Sequence, residues 1–197
     1  MISRIRVTDF RCPSDPTEHI FYDRGPTSYA VSIGSQFMPG NFCDDYPGNT
    51  FGTGPSAFGF ESRGNMVSGA FGGISYSSRN RDFRDGLSQV FLVGEMIGDK
   101  RIGVSGWADN GLTGSWAATS TPLNFPIKAK GRRGHLGRDC FSRVSFQTAF
   151  SFQSAHPDGA NFLFADGHTQ FVHERIDYLT YQRLGDRRDG GLVSLAK

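Results

Sequence analysis

The clearest pattern of apolar and polar positions lies between Asn161 and Val172. Two β-prone runs, Asn161 to Ala165 and His168 to Val172, flank the pair Asp166-Gly167. Such a pair predicts a β-hairpin with a two-residue type I′ turn, in which both central residues take positive φ. Upstream, the apolar run at Gln89 to Val93, closed by Glu95, predicts a strand buried on both faces. Thr27 to Ile33 alternates and predicts a strand with Tyr29, Val31 and Ile33 on one face and Ser28, Ala30 and Ser32 on the other. Ile5, Val7 and Phe10 alternate weakly and predict a short opening strand. Near the end, Ile176 to Leu184 has helical spacing with Gly185 as its stop, and Leu192 to Leu195 predicts a last strand.

Between these elements the pattern dissolves. From Gly34 to Gly73, Gly, Pro, Asn and Ser recur among Phe37, Phe42, Phe51, Phe58, Phe60 and Phe71. A stretch of this length is expected to be an ordered excursion anchored by aromatic side chains, since flexible linkers seldom carry so many. Cys12-Pro13-Ser14-Asp15-Pro16 predicts a rigid turn, because each proline restricts its own φ and the residue before it. No repeat and no boundary divides the chain. Residues 1–197 read as one domain, with 34–73 as its long loop and 151–174 as its hairpin unit.

Composition strengthens the β-rich picture. The chain has 26 Gly and 18 Phe without a three-residue glycine period, which argues for many turns and an aromatic core. A net charge of +2 gives no reason to expect a nucleic-acid partner. The one basic cluster, Lys128 to Arg138, reads as a solvated loop or an anion-binding segment. No apolar run approaches the ~20 residues of a membrane span. The first ten residues have no apolar signal-peptide core.

The candidate chemistry is sparse. His156 and Asp166 stand nine residues apart, and with Asp158 they could form a nitrogen- and oxygen-rich metal pocket. Two five-residue strands would instead separate their ends by about 15 Å, at ~3.3 Å per residue. A metal-dependent enzyme is therefore the weakest reading. Glu95 is a salt-bridge partner or a functional carboxylate. Trp107 and Trp116 could form an aromatic platform for a carbohydrate or other surface ligand. Asp44 and Asp45 could contribute to a calcium loop; otherwise no cofactor is expected. Among Cys12, Cys43 and Cys140, a disulfide between Cys12 and Cys43 would close the shortest loop, and three reduced thiols are the alternative. No nucleophile elbow, phosphate loop or dinucleotide fingerprint occurs, so a non-enzymatic role is expected.

Several blocks resemble one bacterial family. His156, nine residues, then Asp166-Gly167 is similar to the H-x9-DG motif of the DUF1559 proteins, which are abundant in planctomycetes. Its surroundings agree: Phe152, Ser154, His156-Pro157, Gly159-Ala160-Asn161-Phe162 and Phe164-Ala165-Asp166-Gly167-His168. Cys12-Pro13-Ser14-Asp15 resembles the family's Cys-Pro-Ser-Asp element, and Ser28-Tyr29-Ala30 its Ser/Asn-Tyr strand. Arg84 to Ser88 with Leu92-Val93-Gly94-Glu95 resembles its DG-x-S-N-T-I-x-V-G-E block, with Gln89 where Asn is usual.

The resemblance implies a β-rich α+β fold, the globular head of a pilin-like or pseudopilin-like protein with an antiparallel sheet. It implies a non-enzymatic structural or adhesive subunit of a type IV pilus or type II secretion apparatus, exposed outside the cytoplasm. Partners would be protein subunits, of its own kind or other pilin-like chains. The family's long N-terminal hydrophobic helix is expected to be absent from this chain. On this reading His156, Gly159, Asn161, Asp166, Gly167 and Glu95 form a structural motif, with His156 hydrogen-bonding backbone where the hairpin begins.

Overall fold

The computed structural model describes residues 4–17, 25–35, 67–72, 76–97, 106–107, 115–127, 150–191, 193 and 195. Five strands form one sheet: β1 (Tyr29–Gly34), β2 (Phe91–Glu95), β3 (Trp116–Ala118), β4 (Gly159–Phe164) and β5 (Thr169–His173). Their spatial order is β3-β1-β2-β4-β5. The pairings are antiparallel except for β1 with β3, which is parallel. The domain is thus a β-rich α+β fold with a mixed sheet, where an antiparallel one was expected. Among the described residues, no helix is long and apolar enough to cross a membrane.

One sheet face carries the main core. Phe91, Ala160, Phe162, Phe164 and Val172 point toward the helix α1 (Tyr178–Gly185), which contributes Tyr181 and Leu184. Phe91 stacks on Phe162 at 4.0 Å, and Phe152 meets Phe162 edge-on at 5.0 Å. The strand supports these rings through Gly94, where a Cβ would lie 2.5 Å from Phe162 and 2.6 Å from Phe152. Helix α1 starts at Asp177, whose Oδ1 accepts the Thr180 N–H at 2.8 Å. That bond satisfies one of the amides a helix start leaves open.

The hairpin β4-β5 forms as its alternation requires, with Ala160 opposite Val172 and Asn161 opposite Phe171. Its turn differs from the expected one. The Gly167 N–H donates to Phe164 O at 3.0 Å, and the Phe164 N–H donates to His168 O at 2.9 Å. Gly167 has φ +93°, whereas Asp166 is not among the positive-φ residues. This is a three-residue loop, Ala165-Asp166-Gly167, with the glycine in the left-handed position that closes a bulged turn. Asp166 Oδ1 accepts the His168 N–H at 3.1 Å and lies 2.6 Å from His168 Nδ1. Those contacts, the backbone one foremost, hold the Asp166 carboxyl below its ordinary pKa.

The expected opening strand is not formed. Thr8–Phe10 is a 3-10 turn instead, with Ile5 and Phe10 exposed. The Phe10 carbonyl accepts the Ser28 N–H at 2.8 Å, so this segment docks beside the start of β1 without pairing as a strand. The apolar run before Glu95 begins as a 3-10 turn, Leu87–Gln89, and becomes strand only at Phe91. Of the Gly34 to Gly73 excursion, Gly34, Ser35 and residues 67–72 are described. It leaves and returns at one place: the Gly69 N–H donates to Ile33 O at 2.9 Å, and the Ser35 N–H to Ser68 Oγ at 2.9 Å. Arg187 fastens the returning segment by donating from Nη1 to the carbonyls of Val67 and Gly69. Val193 and Leu195 adopt no strand and lie against the main core.

Candidate functional site

The second sheet face is built from two cross-strand rows. Val31, Val93, Leu163 and Thr169 are register partners across β1, β2, β4 and β5. The adjacent row contains Tyr29 opposite Glu95 and Asn161 opposite Phe171. Glu95 closes β2 and is buried with its carboxylate on this face.

A buried carboxylate requires partners. Glu95 Oε2 accepts Ser154 Oγ–H at 2.8 Å and the Asn161 N–H at 2.9 Å. Asn161 Nδ2 donates to Oε1 at 3.4 Å. The remaining direction of Oε1 leads to His156 Nε2, 3.2 Å away. Ser154 also accepts the His156 N–H at 3.0 Å, so one hydroxyl orients both residues.

Cys12 reaches the same nitrogen, with Sγ 3.4 Å from His156 Nε2. Its position follows from the proline turn. The Asp15 N–H donates to Cys12 O at 3.0 Å, and Asp15 Oδ2 accepts Ser28 Oγ–H at 2.7 Å. The turn is thereby pinned to the residue preceding β1. Cys12, Glu95 and His156 offer three donor atoms within 4.8 Å of one another, the one such group of His, Cys, Asp or Glu found among the described residues. A cleft of about 360 Å³ opens beside them, lined also by Tyr29, Val93, Asn161 and Leu163. Burial, then the neighbouring Cys12 and Glu95, push the Tyr29 hydroxyl above its ordinary pKa.

The shape of this cluster separates two chemistries. In a nucleophile–base–acid relay, thiol and carboxylate contact opposite nitrogens of the imidazole. Here sulfur and carboxylate both converge on Nε2. One N–H cannot serve both well, so the arrangement is a convergent donor set rather than a proton relay.

The sequence-level candidates separate accordingly. His156 is at the site, through its ring rather than through a backbone hydrogen bond. Glu95 and Asn161 join it, while Gly159 sits opposite His173 at the start of the hairpin. Asp166 is engaged with His168 at the far end of the hairpin, and Asp158 is exposed in the turn before β4. The set His156, Asp158, Asp166 therefore does not assemble, because hairpin geometry holds the first and last apart. Trp116 is buried and stacked on Phe150 at 4.2 Å. Trp107 donates from Nε1 to Ile5 O at 2.8 Å and lies against Phe10. The two indoles thus serve as core and as a staple, and they form no shared platform. Cys12 is a buried free thiol rather than half of a bridge. Cys43, Cys140, Asp44, Asp45 and the basic cluster lie outside the described residues.

A profile of the family described as "Protein of unknown function (DUF1559)" matches residues 4–179. The chain belongs to the DUF1559 family. No curated protein and no solved structure matches it. The blocks that carry the DUF1559 resemblance meet in space at the site. Cys12 comes from the Cys-Pro-Ser-Asp element, Tyr29 from the first strand, Glu95 from the Val-Gly-Glu end of β2, and His156 and Asn161 from the H-x9-DG unit. From sequence Cys12 is half of a disulfide or a reduced buried thiol, and the structure shows the free thiol; its approach to His156 has no local signal.

Proposed function

We propose that this DUF1559 chain is the globular head of a pilin-like or pseudopilin-like subunit, working without catalysis outside the cytoplasm, with like subunits as its partners. The observation that supports the reading is the uneven covering of the sheet. The face against α1 is closed by buried aromatics. On the opposite face Tyr29, Val31, Val93 and Leu163 are only half-buried, and Phe171 is 37% exposed. An apolar row crossing three central strands gains by being covered, since each Å² removed from water is worth about 25 cal/mol. A neighbouring subunit of the same class is the partner that the family resemblance supplies.

Fractionation of the source cells tests this. The native protein is expected in sheared surface filaments or with the envelope secretion machinery, and Phe171→Asp is expected to lose that association while keeping its denaturation midpoint. Recovery of the native protein as a cytosolic monomer would overturn the proposal.

A further inference from the structure

We propose that Cys12, Glu95 and His156 form a three-ligand site for a borderline-soft divalent ion, Zn²⁺, with the fourth coordination position facing the cleft. The distances fit the ion. Zinc bonds of ~2.3 Å to sulfur, ~2.0–2.1 Å to nitrogen and ~2.0–2.2 Å to oxygen, set tetrahedrally, hold sulfur and nitrogen ~3.5 Å apart and nitrogen and oxygen ~3.3–3.5 Å apart. The corresponding separations here are 3.4 Å and 3.2 Å. All three donor atoms lie within 4.8 Å of one another.

The donor types choose the metal. One thiolate, one imidazole and one carboxylate suit zinc, whereas calcium and magnesium require shells of six or more oxygens. The outer contacts also fit. Ser154 and the Asn161 amide hold Oε2 of Glu95 and leave Oε1 directed at the common point. Such partners fix the orientation of a ligating carboxylate. The set is held by three separate parts of the fold: the turn pinned through Asp15, the end of β2, and the segment leading into β4. An ion there would tie these parts together, and binding would stabilise the folded chain.

The test uses the reduced, chelator-treated full chain. Zn²⁺ titration against a chromophoric competitor is expected to show one equivalent bound and a rise in melting temperature. Co²⁺ is expected to give a thiolate-to-metal charge-transfer band. Cys12→Ser and His156→Gln should abolish that band, and Cys43→Ser and Cys140→Ser should retain it. Ser154→Ala, which removes a group that orients both Glu95 and His156 without being a ligand itself, should weaken Zn²⁺ binding about 10- to 100-fold. Denaturant titration without metal verifies that each variant folds. If Cys12→Ser does not fold, protection of Cys12 from alkylation in the Zn²⁺-loaded native chain provides the reading. No stoichiometric binding, an unchanged cobalt spectrum in a folded Cys12→Ser, or alkylation of Cys12 at equal rates with and without Zn²⁺ would overturn the assignment. The assignment is independent of the pilin-like reading, since fractionation and metal binding can fail separately.

Discussion

Removing the Glu95 carboxylate should cost far more than its position at a strand end suggests. It is buried, and Oε2 accepts two hydrogen bonds, from Ser154 and from the Asn161 amide. Hydrogen bonds to a charged group contribute about 1.5–3 kcal/mol each, so Glu95→Ala is expected to lose about 3–5 kcal/mol, the upper end limited by water entering from the cleft. Glu95→Gln can keep one oxygen on both donors and turn its amide toward His156. It loses the charge assistance and the long bond from Asn161 Nδ2, about 1–2 kcal/mol together. For a chain of this size 1 kcal/mol moves the melting temperature by about 2–4 °C, so the alanine variant should melt roughly 6–20 °C lower. Urea titrations in chelator separate this from any metal effect, and the m-value should not change. Ser154→Ala should cost about 1.5–3 kcal/mol alone and less in the Glu95→Ala background, where only its bond from the His156 N–H is left to lose. A Glu95→Ala protein within 1 kcal/mol of wild type would refute the reasoning, since it would mean that the Asn161 amide and the Ser154 hydroxyl do not depend on the carboxylate.

Other expectations come from the core, the turn and the tail. Phe162→Ala should lose about 3–5 kcal/mol in the same titration, because it leaves Phe91, Phe152 and Tyr181 facing a void. Gly167→Ala should cost about 1 kcal/mol, from its φ alone, since nothing lies within 4 Å of the added carbon. Gly94→Ala should cost about 1–3 kcal/mol, because its added carbon meets two buried rings; a neutral Gly94→Ala would contradict the observed strand–ring contact. The Asp189 carboxyl is pushed up to about 6, chiefly by burial, with a shared hydrogen bond to Asp85 adding to the rise. The folded chain then holds that proton longer than the unfolded chain. Stability should therefore fall as pH rises from about 4 to about 6, and Asp189→Asn should flatten that limb of a pH–melting curve.

Much of the sheet was legible because local chemistry and final position agree. The hairpin has both an alternating pattern and a turn signal, and β1 and β2 alternate or run apolar where the fold buries them. The turn subtype was not legible: Asp-Gly fits a two-residue loop equally well, and only the bond from Gly167 to Phe164 reveals that Ala165 is recruited. The opening strand failed for a competing reason. The segment from Ile5 to Phe10 runs directly into the proline turn, and its one strand-like bond, from Ser28 to Phe10, is a single dock rather than a ladder. The parallel pairing of β1 with β3 depends on the path of the intervening chain, which no local pattern encodes. The site was half legible. His156 and Glu95 stood out singly, but motif spacing linked His156 to Asp166. Its actual neighbours come from the rows of the sheet: Glu95 lies beside Asn161 because Gly94 pairs with Phe162. Cys12 is added by the Asp15–Ser28 bond, a contact between two residues with no sequence signature for each other.

Cys12 has one sulfur and two competing uses. As a ligand it faces His156 and Glu95; in a disulfide it would have to abandon them, because a bridged sulfur is no longer a thiolate donor. The choice has an observable consequence in any oxidising surroundings. With Zn²⁺ present, the sulfur is held by the metal and shielded from exchange, so diamide treatment should leave Cys12 reduced. After chelation the same treatment should oxidise it, and peptide mapping under non-reducing conditions would identify the partner thiol. Burial alone would slow oxidation equally in both cases when the comparison is made well below the melting temperature of the chelated chain. A difference in rate between the loaded and chelated chain therefore reports coordination, whereas equal rates would return Cys12 to the role of a small buried side chain.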